Sequence, residues 1–149
     1  MADRRGRPAL LWAVLAGPLA WAPCYAATEG CAPPATVHFA PGASAAEVDG
    51  GLPRGARDCY VLQAGKGQAL AISQPGPADD NIVFQVYQAP WTIRHTEDGW
   101  GFGGSALPGT EETRDTTAWT GTLPADGRYL LVVGTSRGGG TYRLRIAIH

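Results

Sequence analysis

The sequence predicts an all-β protein built as a single antiparallel β-sandwich. Short apolar runs follow one another, and turns rich in glycine and proline separate them, with 21 glycines and 12 prolines in the chain. In the clearest run, 142–148, every second residue from Tyr142 to Ile148 is apolar, which is the period of a strand with one buried face. We find no helical period after residue 26. Short strands in succession without helices are typical of two packed antiparallel sheets, jelly-roll-like in type.

The first 26 residues are predicted to be a secretory signal peptide. Three arginines precede an apolar run at 9–22, and small residues occupy positions −3 and −1 of a cut after Ala26. The apolar run is too short to be a membrane-spanning helix, and the whole pattern fits a cleaved export signal. Cleavage leaves residues 27–149 as one domain, because that length can build one modest core. We therefore expect a periplasmic or secreted protein.

The charge of the chain excludes several classes of partner. The formal net charge is −1, and removal of Asp3 and the three arginines of the signal peptide leaves nine basic and twelve acidic residues. The sequence has no basic stripe and no amphipathic basic helix, so we expect neither nucleic acid binding nor a membrane span. The histidines His38, His95 and His149 are scattered without metal-ligand spacing. We expect no metal and no cofactor.

Two cysteines remain after export, Cys31 and Cys59. In an oxidising compartment such a pair is expected to form a disulfide. In the chain-entropy model, closing this loop stabilises the protein by roughly 3–4 kcal/mol. A catalytic thiol is the alternative, but neither cysteine has a neighbouring histidine or a helix N-terminus that would lower its pKa.

The predicted strands are bounded by glycine and proline throughout. In chain order they are 36–39, a weak strand around Val48, 59–64, 68–73, 82–87, 118–123, 129–133 and 141–148. Gly65-Lys66-Gly67 is predicted to be a hairpin turn. The last two strands are predicted to form a closing hairpin, whose seven-residue tip at 134–140 is rich in glycine and carries one long cation, Arg137.

The stretch 88–117 is predicted to be a long irregular loop, because no period of 2 or 3.6 residues is sustained there. A long unpatterned loop inside a small domain is usually functional or disordered, and three large aromatic residues, Trp91, Trp100 and Phe102, argue against disorder. Two interpretations stay open. The aromatic side chains form a satellite cluster over one end of the sandwich, or they form an exposed recognition surface.

Candidate catalytic patterns in the sequence fail on their context. Gly134 to Gly138 fits the G-x-S-x-G pattern around Ser136, but a hydrolase elbow needs a following helix and here a strand follows. The pairs Glu97-Asp98 and Glu111-Glu112 lie in the irregular stretch, where no rigid scaffold holds them for acid–base work. Asp79-Asp80-Asn81 has too few ligands for a calcium loop. We expect no catalytic residue and no enzyme activity.

Several segments carry a resemblance to a known family. They are Val37-His38-Phe39, Pro41-Gly42-Ala43-Ser44, Gly50, Tyr60, Ala64-Gly65-Lys66-Gly67-Gln68, Leu123-Pro124-Ala125-Asp126-Gly127-Arg128-Tyr129 and Tyr142-Arg143-Leu144-Arg145-Ile146. Together they resemble the bacterial pre-peptidase C-terminal type of β-sandwich and, within that group, the periplasmic inhibitors of g-type (goose-type) lysozyme. The resemblance covers roughly 36–148, except 88–117.

The resemblance implies a mode of inhibition. Loops from one end of the sandwich enter the active-site cleft of the lysozyme, and an arginine in the last connection is part of that insertion. Arg137 stands at the matching position, eight residues after Tyr129. A guanidinium forms bidentate, charge-assisted bonds to carboxylates, which suits an acidic catalytic cleft. Gly55 stands where the family has a tyrosine, with Arg54 and Arg57 beside it.

The predicted partner is therefore a g-type lysozyme, with peptidoglycan as a further possibility. The alternative is a non-enzymatic envelope module that uses the aromatic residues to bind cell-wall glycan or another protein, because fold does not fix function. The candidate partner-binding residues are Arg137, Ser136, Arg54, Arg57, Trp91, Trp100 and Phe102.

Overall fold

The structure is a computed structural model that describes residues 30–149. The predicted signal peptide lies outside the described residues. The predicted all-β sandwich is confirmed: residues 30–149 form nine strands in two sheets and one short 3-10 turn, Glu112–Arg114. No helix in this part of the chain has the length and apolar character that a bilayer crossing requires.

The nine strands are numbered in chain order. They are β1 Ala35–Thr36, β2 Ala45–Leu52, β3 Asp58–Ala64, β4 Ala69–Ser73, β5 Ile82–Thr96, β6 Gly99–Ala106, β7 Trp119–Thr122, β8 Gly127–Thr135 and β9 Gly140–Ile148. The first sheet has the order β1-β3-β8-β5-β6, and the second has the order β2-β9-β4-β7. All pairs are antiparallel except β1 and β3, which run parallel.

The main core lies between the two sheets. Alternate residues of each strand point into it, as the period of 2 predicts for β9, where Leu144 and Ile146 are fully buried and Arg143 and Arg145 are exposed. β8 is central, and Leu130 to Gly134 are buried on both of its faces. Burying one such large apolar side chain stabilises the fold by roughly 1.5–3 kcal/mol.

Both predicted hairpins are wrong, because each connection crosses from one sheet to the other. β3 pairs with β8, whereas β4 pairs with β7 and β9, so the turn at Gly65-Lys66-Gly67 joins strands that do not pair. Likewise, β8 belongs to the first sheet and β9 to the second. Glycine permits a tight reversal in either case. Which strand becomes the neighbour depends on long-range pairing, which local turn chemistry does not determine.

The predicted irregular loop 88–117 is wrong for most of its length. β5 continues to Thr96, and β6 returns antiparallel to it from Gly99. The register shifts between Gln88 and Thr92, which moves the apolar pattern out of phase. Four of the eight residues of β6 are glycine, so no alternation of side chains marks the strand in the sequence. The irregular part is confined to residues 107–118.

A second apolar cluster covers the outer face of the first sheet. Trp91, Trp100 and Phe102 are half-buried there, and they pack with Ile93 and Ala106 against residues of β3, β5 and β8. The residues beneath them are Cys31, Cys59, Val61, Tyr87, Leu130 and Val132. The aromatic side chains thus form a satellite cluster, and it lies against a sheet face rather than over one end of the sandwich.

The predicted disulfide between Cys31 and Cys59 is confirmed, and both cysteines are buried in the outer cluster. It joins the segment before β1 to β3. Next to it, Gly30 lies directly against Trp100, since a Cβ on this glycine would be 2.6 Å from the indole ring. The disulfide therefore holds the start of the described chain against the β5–β6 hairpin.

Candidate functional site

Three connections meet at one end of the sandwich, which we call the loop end. Residues 53–57 join β2 to β3, residues 74–81 join β4 to β5, and residues 136–139 join β8 to β9. The register places the ends of β2 and β8 beside the beginnings of β9, β3 and β5, which is why these loops share one end.

Asn81 supports the connection 136–139. Its side-chain oxygen accepts a hydrogen bond from the backbone N–H of Arg137 at 2.7 Å, and its backbone oxygen accepts one from the N–H of Ser136 at 2.9 Å. Its side-chain amide donates to the carbonyl of Gly139 at 3.3 Å. The Ser136 hydroxyl also donates to the Asn81 side-chain oxygen at 3.3 Å. A connection that contains few large side chains is therefore held in place by one neighbouring residue, through both its side chain and its backbone.

The guanidinium of Arg137 points into solvent at the apex of this connection. Its side chain is 75% exposed, and Nη2 lies 3.5 Å from Oδ1 of Asp80, whose side chain is 89% exposed. Exposed ion pairs of this kind contribute about 0–1 kcal/mol. The backbone of Arg137 is thus held in place, while its side chain can leave Asp80 for a stronger partner.

Gly139 brings two loops of this end into contact. A Cβ on this residue would lie 2.7 Å from the carbonyl oxygen of Leu52, so only glycine allows the backbones to approach so closely. The result is a shallow open groove of about 510 Å³ between the two loops. Its lining residues are Arg54, Gly55, Arg57, Thr135, Ser136, Arg137 and Gly138.

Arg57 forms the floor of the groove on the side of the first sheet. Its aliphatic stem crosses Gly134, where a Cβ would lie 2.9 Å from Cδ of the arginine. Its Nη1 donates to the carbonyl of Ala56 at 2.8 Å, and the residue is half-buried. Arg54, in contrast, is exposed. One half-buried arginine, Arg57, and two exposed ones, Arg54 and Arg137, therefore line the groove.

A pair of tyrosines, the buried Tyr142 and the half-buried Tyr60, anchors the loop 53–57 from behind. The Tyr142 hydroxyl donates to Oδ2 of Asp58 at 2.6 Å, and the hydroxyls of Tyr60 and Tyr142 are hydrogen-bonded to each other. Burial raises the pKa of both tyrosines. Gly50 makes room for them, because a Cβ there would lie 2.8 Å from Oη of Tyr142. Asp58 directly follows Arg57, so this network fixes the chain at the edge of the groove.

The predicted site residues fall into two groups in space. Arg54, Arg57, Ser136 and Arg137 line the same groove. The aromatic residues are not part of it: the guanidinium of Arg128 lies 5.4 Å from the centre of the Trp91 ring, Trp100 stacks on His95 at 4.3 Å, and Phe102 lies 6.2 Å from Tyr87. Sequence reasoning missed Asn81 as a supporting residue, although its position directly before β5 is typical of a side chain that organises a turn.

The groove suits a negatively charged guest. Three of its seven lining residues are arginines and none is acidic. Arginine binds carboxylates through two parallel hydrogen bonds, which gives both strength and orientation. Fold and groove together define a disulfide-linked β-sandwich with an arginine-lined groove at its loop end.

Three solved structures of similar architecture are lysozyme inhibitors. Aeromonas hydrophila PliG, a periplasmic lysozyme inhibitor of g-type lysozyme, is 26% identical with a TM-score of 0.56, and the match covers 77% of this chain and 95% of that one. A mutant of the Escherichia coli PliG is 21% identical with a TM-score of 0.54, covering 77% and 96%. The Salmonella Typhimurium PliG is 20% identical with a TM-score of 0.52, covering 77% and 97%.

The sequence resemblance to inhibitors of g-type lysozyme is thus confirmed as a structural similarity. The similarity to the second and third proteins concerns the fold alone, because their sequences are only 21% and 20% identical to this chain. No protein-family model and no curated protein sequence matches the chain. These three proteins are lysozyme inhibitors, and all three are described as periplasmic.

Proposed function

We propose that this protein is an exported inhibitor that binds a g-type lysozyme and blocks its active-site cleft with the loop end. The observation that carries this proposal is the exposed Arg137 at the apex of a supported connection, beside Arg54 and Arg57 in one groove. The structural similarity to PliG proteins supports it. A periplasmic or secreted location follows from the predicted signal peptide and agrees with a disulfide, which forms in oxidising compartments.

On binding, Arg137 exchanges its ion pair with Asp80 for a stronger one with a carboxylate of the lysozyme. In the isolated protein the guanidinium of Arg137 faces the exposed carboxylate of Asp80 at 3.5 Å. Glycoside hydrolases use carboxylic acids for catalysis. In a narrow cleft shielded from water, the bond of Arg137 to such a carboxylate is stronger than its exposed pair with Asp80. Because Asn81 already orders the backbone, binding loses less conformational entropy.

An inhibition assay tests the proposal. The mature protein is titrated into a g-type lysozyme acting on cell walls, and Arg137→Ala is compared with Arg145→Ala, an exposed arginine on β9. We expect Arg137→Ala to weaken inhibition by about tenfold or more, as for a central charged contact, and Arg145→Ala to inhibit normally. Absence of inhibition at micromolar protein would refute the proposal.

The aromatic cluster supports a second candidate, an envelope module that binds cell-wall glycan or another protein. Trp91, Trp100 and Phe102 are half-buried on the outer face of the first sheet, so part of each side chain remains exposed to solvent. Titration of soluble peptidoglycan fragments while tryptophan fluorescence is recorded tests this function. A saturable change that Trp100→Ala removes, in a protein that does not inhibit lysozyme, would favour it over inhibition.

A further inference from the structure

A second cavity, of about 370 Å³, lies next to the groove at the loop end. It opens where β2, an edge strand of the second sheet, approaches β1 and β3 of the first sheet. The loop 53–57 borders both sites: Pro53 and Ala56 line the cavity, whereas the two arginines of the loop line the groove. A protein that covers this loop therefore reaches the cavity as well as the groove.

The charged groups of the cavity are carboxylates. Asp49 of β2 and Asp58 of β3 both line it, and none of its lining residues is basic. Most of the other walls are glycine or apolar side chains, with the half-buried Tyr60 among them. A largely apolar cavity of this size with a few polar groups is typical of a site that orients a bound group.

Neither carboxylate is neutralised by a cation of its own domain. Within residues 30–149, Asp49 and Asp58 form no ion pair. Asp58 accepts a hydrogen bond from the hydroxyl of Tyr142 at 2.6 Å, which satisfies one oxygen and leaves the charge in place. Arg143 lies opposite Asp49 on β9, but it lines a neighbouring depression rather than this cavity. The cavity is therefore negatively charged.

Both charges act on the same part of the cavity. Burial raises the pKa of Tyr60 most, and the negative charges of Asp58 and Asp49 raise it further. Both carboxylates are thus close enough to influence the hydroxyl of Tyr60. A positive charge placed beside them interacts favourably with both, and water screens this attraction less in a cavity than on an open surface.

We propose that this cavity receives a basic side chain, a lysine or an arginine, of the protein that the loop end binds. The inference rests on the proposed function for the identity of that partner, a g-type lysozyme. Lysine and arginine combine an apolar stem with a cationic head, which matches apolar walls that carry two carboxylates. A metal ion fits less well, because the described residues contain no group of three or more ligating side chains.

Binding of side-chain analogues tests the cavity without lysozyme. Isotope-labelled mature protein is titrated with n-butylammonium and n-propylguanidinium, and the backbone NMR signals of Gly50, Gly51 and Tyr60 are followed. We expect saturable shifts with a Kd of about 1–30 mM, as for fragments of this size. n-Butanol, equal in size but uncharged, is the control and is expected to cause no saturable shift. Absence of saturable shifts below about 100 mM of either cation, or equal binding of butanol, overturns the proposal.

Two matched variants connect the cavity with inhibition. Asp49→Asn removes one carboxylate of the cavity, and Glu47→Gln removes the same charge two residues earlier on β2, outside the cavity. Both residues are exposed, so we expect both variants to fold; their unfolding midpoints verify this. Asp49→Asn is expected to weaken analogue binding and lysozyme inhibition about fivefold or more each, because an attractive charge is lost. Glu47→Gln is expected to leave both unchanged.

Failure of this inference differs from failure of the proposed function. A wild type that does not inhibit lysozyme refutes the function, and the analogue titration then decides whether the cavity is a cation site. Inhibition that Arg137→Ala weakens and Asp49→Asn does not weaken leaves the function standing and overturns the inference. Analogue binding that Asp49→Asn abolishes without any effect on inhibition assigns the cavity to a free amine instead of a partner's side chain, which also overturns it.

Discussion

Among single residues, Asn81 has the largest influence on how Arg137 is presented. It binds the backbone N–H of Arg137 and the carbonyl of Gly139, and so it spans the connection 136–139. We expect Asn81→Ala to weaken lysozyme inhibition about three- to tenfold although Arg137 is still present, because the connection must then be ordered on binding. The free energy of unfolding is expected to fall by only about 1 kcal/mol, since these hydrogen bonds are exposed.

Asn81→Asp is the matched control in the same inhibition titration. A carboxylate keeps the acceptor for the N–H of Arg137 and loses the donor to Gly139, so this variant is expected to inhibit better than Asn81→Ala. If Asn81→Ala inhibits as well as the wild type, the connection does not depend on this side chain.

Tyr142 contributes to how stability responds to alkaline pH, together with Tyr60 and Tyr87, whose pKa values burial also raises. Burial raises its pKa above that of an unfolded tyrosine, and the same holds for Tyr60. Above about pH 10 the unfolded chain loses these protons while the folded protein keeps them, so rising pH favours unfolding. Below pH 10 the tyrosines contribute their full stabilisation of the fold. Above pH 10 the free energy of unfolding falls by at most about 1.4 kcal/mol per pH unit for each tyrosine that stays protonated in the folded protein.

Denaturant titrations between pH 7 and 11 measure this slope. Tyr142→Phe is expected to have a shallower loss of stability above pH 10 than the wild type, and a lower free energy of unfolding at pH 7, because Asp58 loses its buried donor. Parallel slopes for the two proteins would show that Tyr142 is not the group that titrates.

At the scale of secondary structure, the sequence predicted most strands apart from β6, but it did not predict how the strands pair. The predicted strand 141–148 matches β9, because its alternation reflects a core on one side and water on the other. The partners of β8 and β9 lie in different sheets, and no local pattern encodes this. The connections that look like hairpins are crossings, since each apolar face must reach the same core.

The β5–β6 hairpin shows a different limit of sequence reasoning. Its glycines give no hydrophobic period, and the register shift between Gln88 and Thr92 breaks the period of β5. The candidate site was only partly predictable for a related reason. Arg137 was found as the one long cation of its connection, and Arg54 and Arg57 were found through the family resemblance. Asn81 and Gly139, in contrast, act through the backbone of neighbouring loops.

The disulfide adds a covalent link between the segment before β1 and β3, beside the backbone pairing of β1 with β3. Cys31 and Cys59 are 28 residues apart in sequence and join the start of the described chain to β3. We expect the double variant Cys31→Ala, Cys59→Ala to lose about 3–4 kcal/mol in the free energy of unfolding. Inhibition by the folded variant is expected to persist, because neither cysteine lines the groove.

Denaturant unfolding of the double variant is compared with that of the wild type in the presence of a reductant. The two should agree, since both lack the covalent link. A variant as stable as the oxidised wild type would show that the segment before β1 is held by its contact with Trp100 rather than by the disulfide.

At the scale of the whole molecule, the charge of the groove is opposite in sign to the net charge of the protein. Residues 27–149 carry nine basic and twelve acidic residues, yet three arginines surround the groove. A local field of this kind orients the protein towards an acidic partner during diffusion, and salt weakens the effect. We therefore predict that the association rate with a g-type lysozyme falls as ionic strength rises, by about tenfold between 20 and 500 mM salt.

Stopped-flow association at several salt concentrations measures this dependence for the wild type, Arg54→Ala and Arg145→Ala. Arg54 is exposed at the groove and contacts no acidic partner within it, so its loss is expected to flatten the salt dependence while the dissociation rate changes little. Arg145 is equally exposed but lies on β9 across from Glu47, and its removal should leave the slope unchanged. An association rate that is independent of salt would mean that the arginines of the loop end do not guide the approach, and an equal effect of both variants would mean that only the overall charge matters.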